Sequence, residues 1–182
     1  MKQPTLTTER LRLRPFSDDL SDVEALNAIQ SDPDHMRYYP RPFDRAMTQA
    51  WIERWLADYE GIGFGLWAIE DRVTGEFLGN CGPARQIVDG EPHVELGWSV
   101  TPRRASQGIA TEAATAARDW SFRELGLDHL IALVRPENLP SRRVAEKVGM
   151  SVWRETLFGS TQWLHLVYRA LPEDLEPLGD QA

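Results

Sequence analysis

The stretch from Arg103 to Leu125, RRASQGIATEAATAARDWSFREL, constrains the fold more than any other in this chain. It opens with small residues, Ala105, Ser106, Gly108 and Ala110. Ile109, Ala113, Ala116, Ala117, Trp120 and Leu125 then follow at the spacing of a helix with one buried face. Upstream, Val94 to Val100 is a short apolar run that reads as a strand. The unit is strand, tight loop, helix. A helix start carries unpaired N–H groups and a partial positive charge, and small residues there let a ligand's oxygens reach the backbone. The ligand that fits carries a phosphate or pyrophosphate. A plain turn in a core has the same small residues, so this stretch alone leaves both readings open. It is not a P-loop, since no Gly-Lys-Ser/Thr follows, and only one glycine of the dinucleotide fingerprint is present.

A chain of 182 residues is long enough for one domain with a sizeable core. Its formal charge of -8 argues against nucleic acid as the main partner and suits a cationic one. The single cysteine, Cys81, excludes an internal disulfide and fits a reducing cytoplasm; set among apolar neighbours, it reads as a buried, inert thiol. No apolar run approaches membrane-spanning length, and no signal-peptide core is expected at the amino terminus. His35, His93, His129 and His165 have no metal-ligand spacing, so no metal is expected.

Leu6 to Pro15 alternates leucine with arginine, the pattern of one strand with a charged outer face. Ser21-Asp22-Val23-Glu24 has the form of a capping box opening a first helix that ends before Pro33. Tyr38 and Tyr39 lie in the following loop, where they either pack over the core or form an acceptor-binding wall. Asp44 caps a second helix, about Arg45 to Glu60. Strands follow at Gly65 to Glu70 and Phe77 to Ile87, then an Asp89-Gly90 hairpin turn. After the central helix come a strand at His129 to Val134, a helix at Ser141 to Val148 and a final hairpin. A meander that gives way to alternating strands and helices predicts one mixed α/β sheet with helices on both faces. The domain is expected to fill residues 1–172, with an acidic, frayed tail at 173–182.

Four stretches in order, TTERLRLRP, VELGWSV, ASQGIATEA and NLPSRRVAEKVGM, resemble the GNAT N-acetyltransferases and in particular their RimJ/RimL-like branch. Two positions depart from that pattern. Ala105 replaces the usual Arg or Gln of the phosphate loop, which Arg103 or Arg104 could offset, and Ser106 replaces a frequent Gly. The resemblance implies a mostly antiparallel sheet of about seven strands whose fourth and fifth members splay apart. It also implies acetyl-CoA as acetyl donor. The coenzyme's arm would pair with the backbone of Ser99 and Val100. Its pyrophosphate would meet the amides of Gln107, Gly108, Ala110 and Thr111. Asn138 would bind the arm or merely close a turn, and Arg143 would meet outer phosphates or stay a solvated face.

Acyl transfer to an amine needs a base, a polarised thioester oxygen and a route for the leaving thiolate. Glu95 matches the carboxylate base of several members of that family; an exposed strand residue in salt contact is the competing reading. His93 is a weaker alternative on the same strand face. Many members use a Tyr to protonate the thiolate, and none occurs between Leu130 and Trp163. Ser141 stands at the matching helix start, either as proton donor or as a plain N-cap. Direct transfer to a primary amine is expected, on a protein or ribosomal-protein terminus or on a small molecule. A non-catalytic acyl-CoA-binding module is the reading from another class. Monomer and homodimer are equally compatible with the sequence.

Overall fold

The computed structural model describes residues 3–174. Its elements in chain order are β1 (Leu6–Thr7), β2 (Leu11–Pro15), α1 (Leu20–Gln30), α2 (Arg45–Gly61), β3 (Trp67–Asp71), β4 (Phe77–Val88), β5 (Glu91–Val100), α3 (Ile109–Leu125), β6 (Leu130–Val134), α4 (Leu139–Lys147), β7 (Ser151–Phe158) and β8 (Trp163–Ala170). The strands form a single sheet in the order β1-β2-β3-β4-β5-β6-β8-β7. Every neighbouring pair is antiparallel except β5 and β6. The expected mixed α/β architecture is the one observed.

Eight strands replace the expected seven because the run from Leu6 to Pro15 folds back on itself. Thr8 N–H donates to the Leu11 carbonyl at 2.9 Å, and Leu11 N–H donates to Thr8 Oγ1 at 3.0 Å. The residue that begins the strand pattern thus also closes a turn, as Thr hydroxyls do. The charged face of β2 is tied to its neighbours by ion pairs. Arg12 pairs with Glu70, and Arg14 bridges Glu70 and Asp22 at 2.6 Å each. Asp22 is 2% exposed and also accepts from Ser17 N–H. The expected capping box does not form: α1 already starts at Leu20, which puts Ser21 inside the helix, and the box's acid, Glu24, pairs with Arg45 at 2.6 Å instead. Asp44 caps α2 as expected, accepting from Met47 N–H at 2.8 Å.

Two apolar layers hold the sheet. On one face, Ala113, Ala114 and Ala117 of α3 lie against Leu11, Leu13, Trp67, Ile69 and Leu96. Small residues on α3 let its backbone approach the sheet closely. On the other face, α1 and α2 bring Val23, Leu26, Ile52 and Trp55 against Phe16, Leu66, Ala68 and Ala84. Cys81 is fully buried, and burial pushes its thiol pKa up, as an inert thiol requires. Among the described residues no helix is long and apolar enough to cross a membrane, and no cluster of His, Cys, Asp and Glu is suited to a metal ion. Residues 175–182 of the expected acidic tail lie outside the described residues.

Candidate active site

The site begins where the sheet comes apart. β5 and β6 run parallel, and Glu95 opposite Ile131 is their single registered pair. Beyond it β5 continues to Val100 and β6 to Val134 without pairing, so a gap opens between them. Thr101 N–H donates to the Leu78 carbonyl across the β4 side. Alternation along β5 then turns the Ser99 backbone toward β4 and leaves the backbone groups of Trp98 and Val100 facing the gap. Val100 therefore keeps the open edge the sequence led us to expect, while Ser99 contributes its side chain instead. Its hydroxyl lies 2.8 Å from His35 Nε2, a partner the sequence did not suggest.

The contact between β4 and β5 at this point is unusually close. Gly79 has φ +143°, and a Cβ there would come within 2.0 Å of the Ser99 carbonyl oxygen. Only glycine permits this approach.

At the end of β5 the chain makes a 3₁₀ turn, Pro102–Arg104, and enters α3 through Ser106 at φ 61° and Gly108 at φ 80°. Gly108 is the N-cap and supplies no side-chain acceptor. Among the described residues the amides of Gln107, Gly108, Ile109, Ala110 and Thr111 have no acceptor. This is a row of donors at the positive end of a 17-residue helix. The row is braced from a distance. Arg10 Nη1 donates to the Gln107 carbonyl at 3.0 Å, and Glu112 holds both Arg10 and Thr8 Oγ1 (2.6 Å). Arg104 is committed to Glu76 at 2.5 Å, which leaves the exposed Arg103 beside the loop without a partner among the described residues.

Hydrogen bonds from Thr8 and Arg10 hold the Glu112 carboxyl below its usual range, outweighing its partial burial. The stabilisation this implies is present at neutral pH and fades as pH falls through the carboxylate range. Glu112→Ala is expected to lower stability by about 2 kcal/mol. It should also weaken acetyl-CoA binding more than it alters turnover at saturation. Thermal unfolding with and without the coenzyme reads both effects.

The gap leads into a cleft of about 350 Å³. Tyr38, Tyr39, Glu95, Ser99, Asn138 and Ser141 all line it, as do Trp51 and Trp163. The Tyr38 hydroxyl donates to the Glu137 carbonyl at 3.3 Å, roofing the cleft from α1's trailing turn to the β6–α4 loop. On the floor, Glu95 accepts from Gln86 Nε2 at 3.0 Å and from the Leu133 backbone N–H. Burial raises its pKa above the ordinary carboxylate value, against the opposing pull of these donors and of Arg54. A carboxylate that is hard to keep charged is a stronger base for its position. His93 does not join it. Its ring is engaged by His129 at 3.0 Å and lies beside Trp153, outside the cleft lining.

At α4 the cap belongs to Asn138, whose Oδ1 accepts from Ser141 N–H at 3.2 Å. Ser141 is therefore not an N-cap. Its hydroxyl has no partner among the described residues and faces a site that needs a proton donor. Asn138 shapes the turn, with its Nδ2 still available to a ligand. Arg143 is exposed on α4, away from the cleft lining. Gln86, Arg54, Arg135 and His165, which complete the cleft, carry no motif; the register of the Asp89-Gly90 hairpin puts Gln86 on the Glu95 face, while Arg135 gives no signal in the sequence.

Residues 10–151 match the family model described as an acetyltransferase (GNAT) domain. The protein YkkB of Bacillus subtilis (strain 168) is 38% identical over 145 residues, covering 80% of this chain and 84% of that one. The N-acetyltransferase YnaD of the same organism is 31% identical over 176 residues, or 93% and 98% of the two chains. The solved acetyltransferase of Agrobacterium tumefaciens is 33% identical with a TM-score of 0.79, over 93% of this chain and 95% of the other. RimL, a ribosomal L7/L12 acetyltransferase solved with coenzyme A, is similar in fold alone, at 15% identity and a TM-score of 0.72 over 94% of this chain and 100% of its own. The family match over most of the chain, together with relatives above 30% identity, shows that this chain belongs to the GNAT family of acetyltransferases and is an acetyl-CoA-dependent enzyme.

Proposed function

We propose that the enzyme transfers acetyl directly from acetyl-CoA to the primary amine of a small acceptor held in the cleft. The observation that carries this reading is the desolvated Glu95 facing the same gap as the free backbone of Trp98 and Val100. Glu95, directly or through a water, takes a proton from the acceptor ammonium. The neutral amine attacks the thioester carbon. The Trp98 N–H meets the oxygen as charge builds on it. The carbon–sulfur bond then breaks, and the Ser141 hydroxyl serves the departing sulfur. Val100 extends the β5 edge to the pantetheine arm, and the amides from Gln107 to Thr111, with Arg103, hold the pyrophosphate. No covalent enzyme intermediate is needed, since the only cysteine is buried.

The roofed, aromatic cleft favours a small amine over a protein terminus: its volume is that of a small-molecule site. Likeness in fold to a ribosomal-protein acetyltransferase does not choose the acceptor. The test is release of free thiol from acetyl-CoA with small amines and with basic peptides in parallel arms. Release with small amines supports the reading. Release with peptides alone redirects it to a protein terminus, and silence in both arms means that the acceptor is neither.

Ser141→Ala is expected to lower kcat by about tenfold. That is less than for a general base, because a thiolate already leaves well without full protonation. The KM for acetyl-CoA should stay within about twofold if the hydroxyl acts on the leaving group; a rise in KM with kcat unchanged would make it a binding group instead.

A further inference from the structure

Although the protein carries a formal charge of -8, its cleft does not. Two arginines, Arg54 and Arg135, line it together with Glu95. Arg135 follows β6 directly. Its guanidinium lies over the Trp163 ring at 4.4 Å. Nε and Nη2 reach the two Glu137 oxygens, each at a long 3.3 Å. The third nitrogen, Nη1, is buried and has no hydrogen-bond partner among the described residues. The indole N–H of Trp55, another lining residue, is likewise buried without an acceptor. Leaving a charged donor buried and unpaired costs more than leaving a neutral one so. Two orphaned donors around one cavity call for an acceptor-rich group on whatever occupies it.

The register places that need. Glu95 stands opposite Ile131 and its carboxyl accepts from the Leu133 N–H, and Arg135 comes two residues after Leu133, just past the end of β6. Both line the same cleft, so a base and a cation there can bracket an amine and a carboxylate on one small molecule.

Resting on the acyl-transfer reading above, we infer that the acceptor is a small amino acid, its amine at Glu95 and its carboxylate at Arg135. A guanidinium offers such a group paired N–H donors that an ammonium cannot reproduce. Charged steering from afar is absent or adverse, so recognition belongs to the cleft itself.

The test compares α-amino acids, β-alanine and γ-aminobutyrate with their amides and decarboxylated amines, by thiol release from acetyl-CoA. At least one acid is expected to exceed its amide about tenfold or more in kcat/KM. In Arg135→Gln that ratio should fall to near one, mainly through KM for the acid, with Arg135→Lys intermediate. The KM for acetyl-CoA, read alongside, reports that the variants are folded. Turnover of amides or cationic amines equal to that of the acids, or an unchanged ratio in Arg135→Gln, overturns the inference while leaving acyl transfer standing. Silence in every arm removes the acyl-transfer reading. The carboxylate subsite is then judged by binding alone: a Tm rise with the acids over their amides that is lost in Arg135→Gln upholds it, and no rise overturns it.

Discussion

Glu95→Gln should lower kcat by about 10²–10⁴-fold while leaving acetyl-CoA affinity nearly intact. Glutamine keeps the size of the side chain and can still accept from the Leu133 N–H, so the cleft floor should hold its shape. What is lost is the site that takes the ammonium proton. The wild-type pH profile carries the same signature. Burial raises the Glu95 pKa, and the base works only when ionised. Activity should therefore rise with pH through a limb lying above the ordinary carboxylate range, and that limb should vanish in the variant. The sign for stability is opposite. A carboxyl whose folded pKa exceeds its unfolded one stabilises the protein most at low pH, and that contribution is lost as pH climbs through the folded value. A Glu95→Gln enzyme of undiminished kcat would remove the residue from the mechanism and pass the role to a water relay.

Gly79→Ala is expected to cost about 2–4 kcal/mol of stability and to weaken acetyl-CoA binding at least tenfold. The added methyl would sit 2.0 Å from the Ser99 carbonyl, and that atom is backbone, so no side-chain rotation relieves the clash. The positive φ adds strain that no other residue tolerates cheaply. Relief can come only by moving β5 away from β4, toward the gap that receives the coenzyme's arm. Chemical denaturation and a coenzyme titration on the same preparation measure the two losses. Normal affinity in a destabilised variant would mean that β5 yields elsewhere.

Much of this arrangement was legible before any coordinates. Hydrophobic spacing placed α3, β5, β6 and the final hairpin within a few residues, because their buried faces repeat without interruption. Asp44 and the Asp89-Gly90 turn acted locally and were read locally. The failures involve residues whose local role loses to a distant partner. Glu24 completes a capping box with Ser21 by spacing, yet α1 already starts at Leu20 and Arg45 takes the Glu24 carboxylate. Ser141 has the composition of an N-cap, yet Asn138 fills that place three residues earlier. His93 shares a strand face with Glu95, yet His129 and Trp153 claim its ring. Likewise, Arg135 shows no pattern of its own. Its meaning comes from the register between β5 and β6 and from an unpartnered nitrogen, neither of which a sequence states.

The brace running from the first hairpin to the head of α3 has a consequence for how the enzyme reads its coenzyme. Arg10 grips the Gln107 carbonyl of the loop from a position 97 residues earlier in the chain. Linkage between two such sites works in both directions. Whatever steadies the loop must also steady the beginning of the chain, so residues that touch no nucleotide share in setting how tightly one is held.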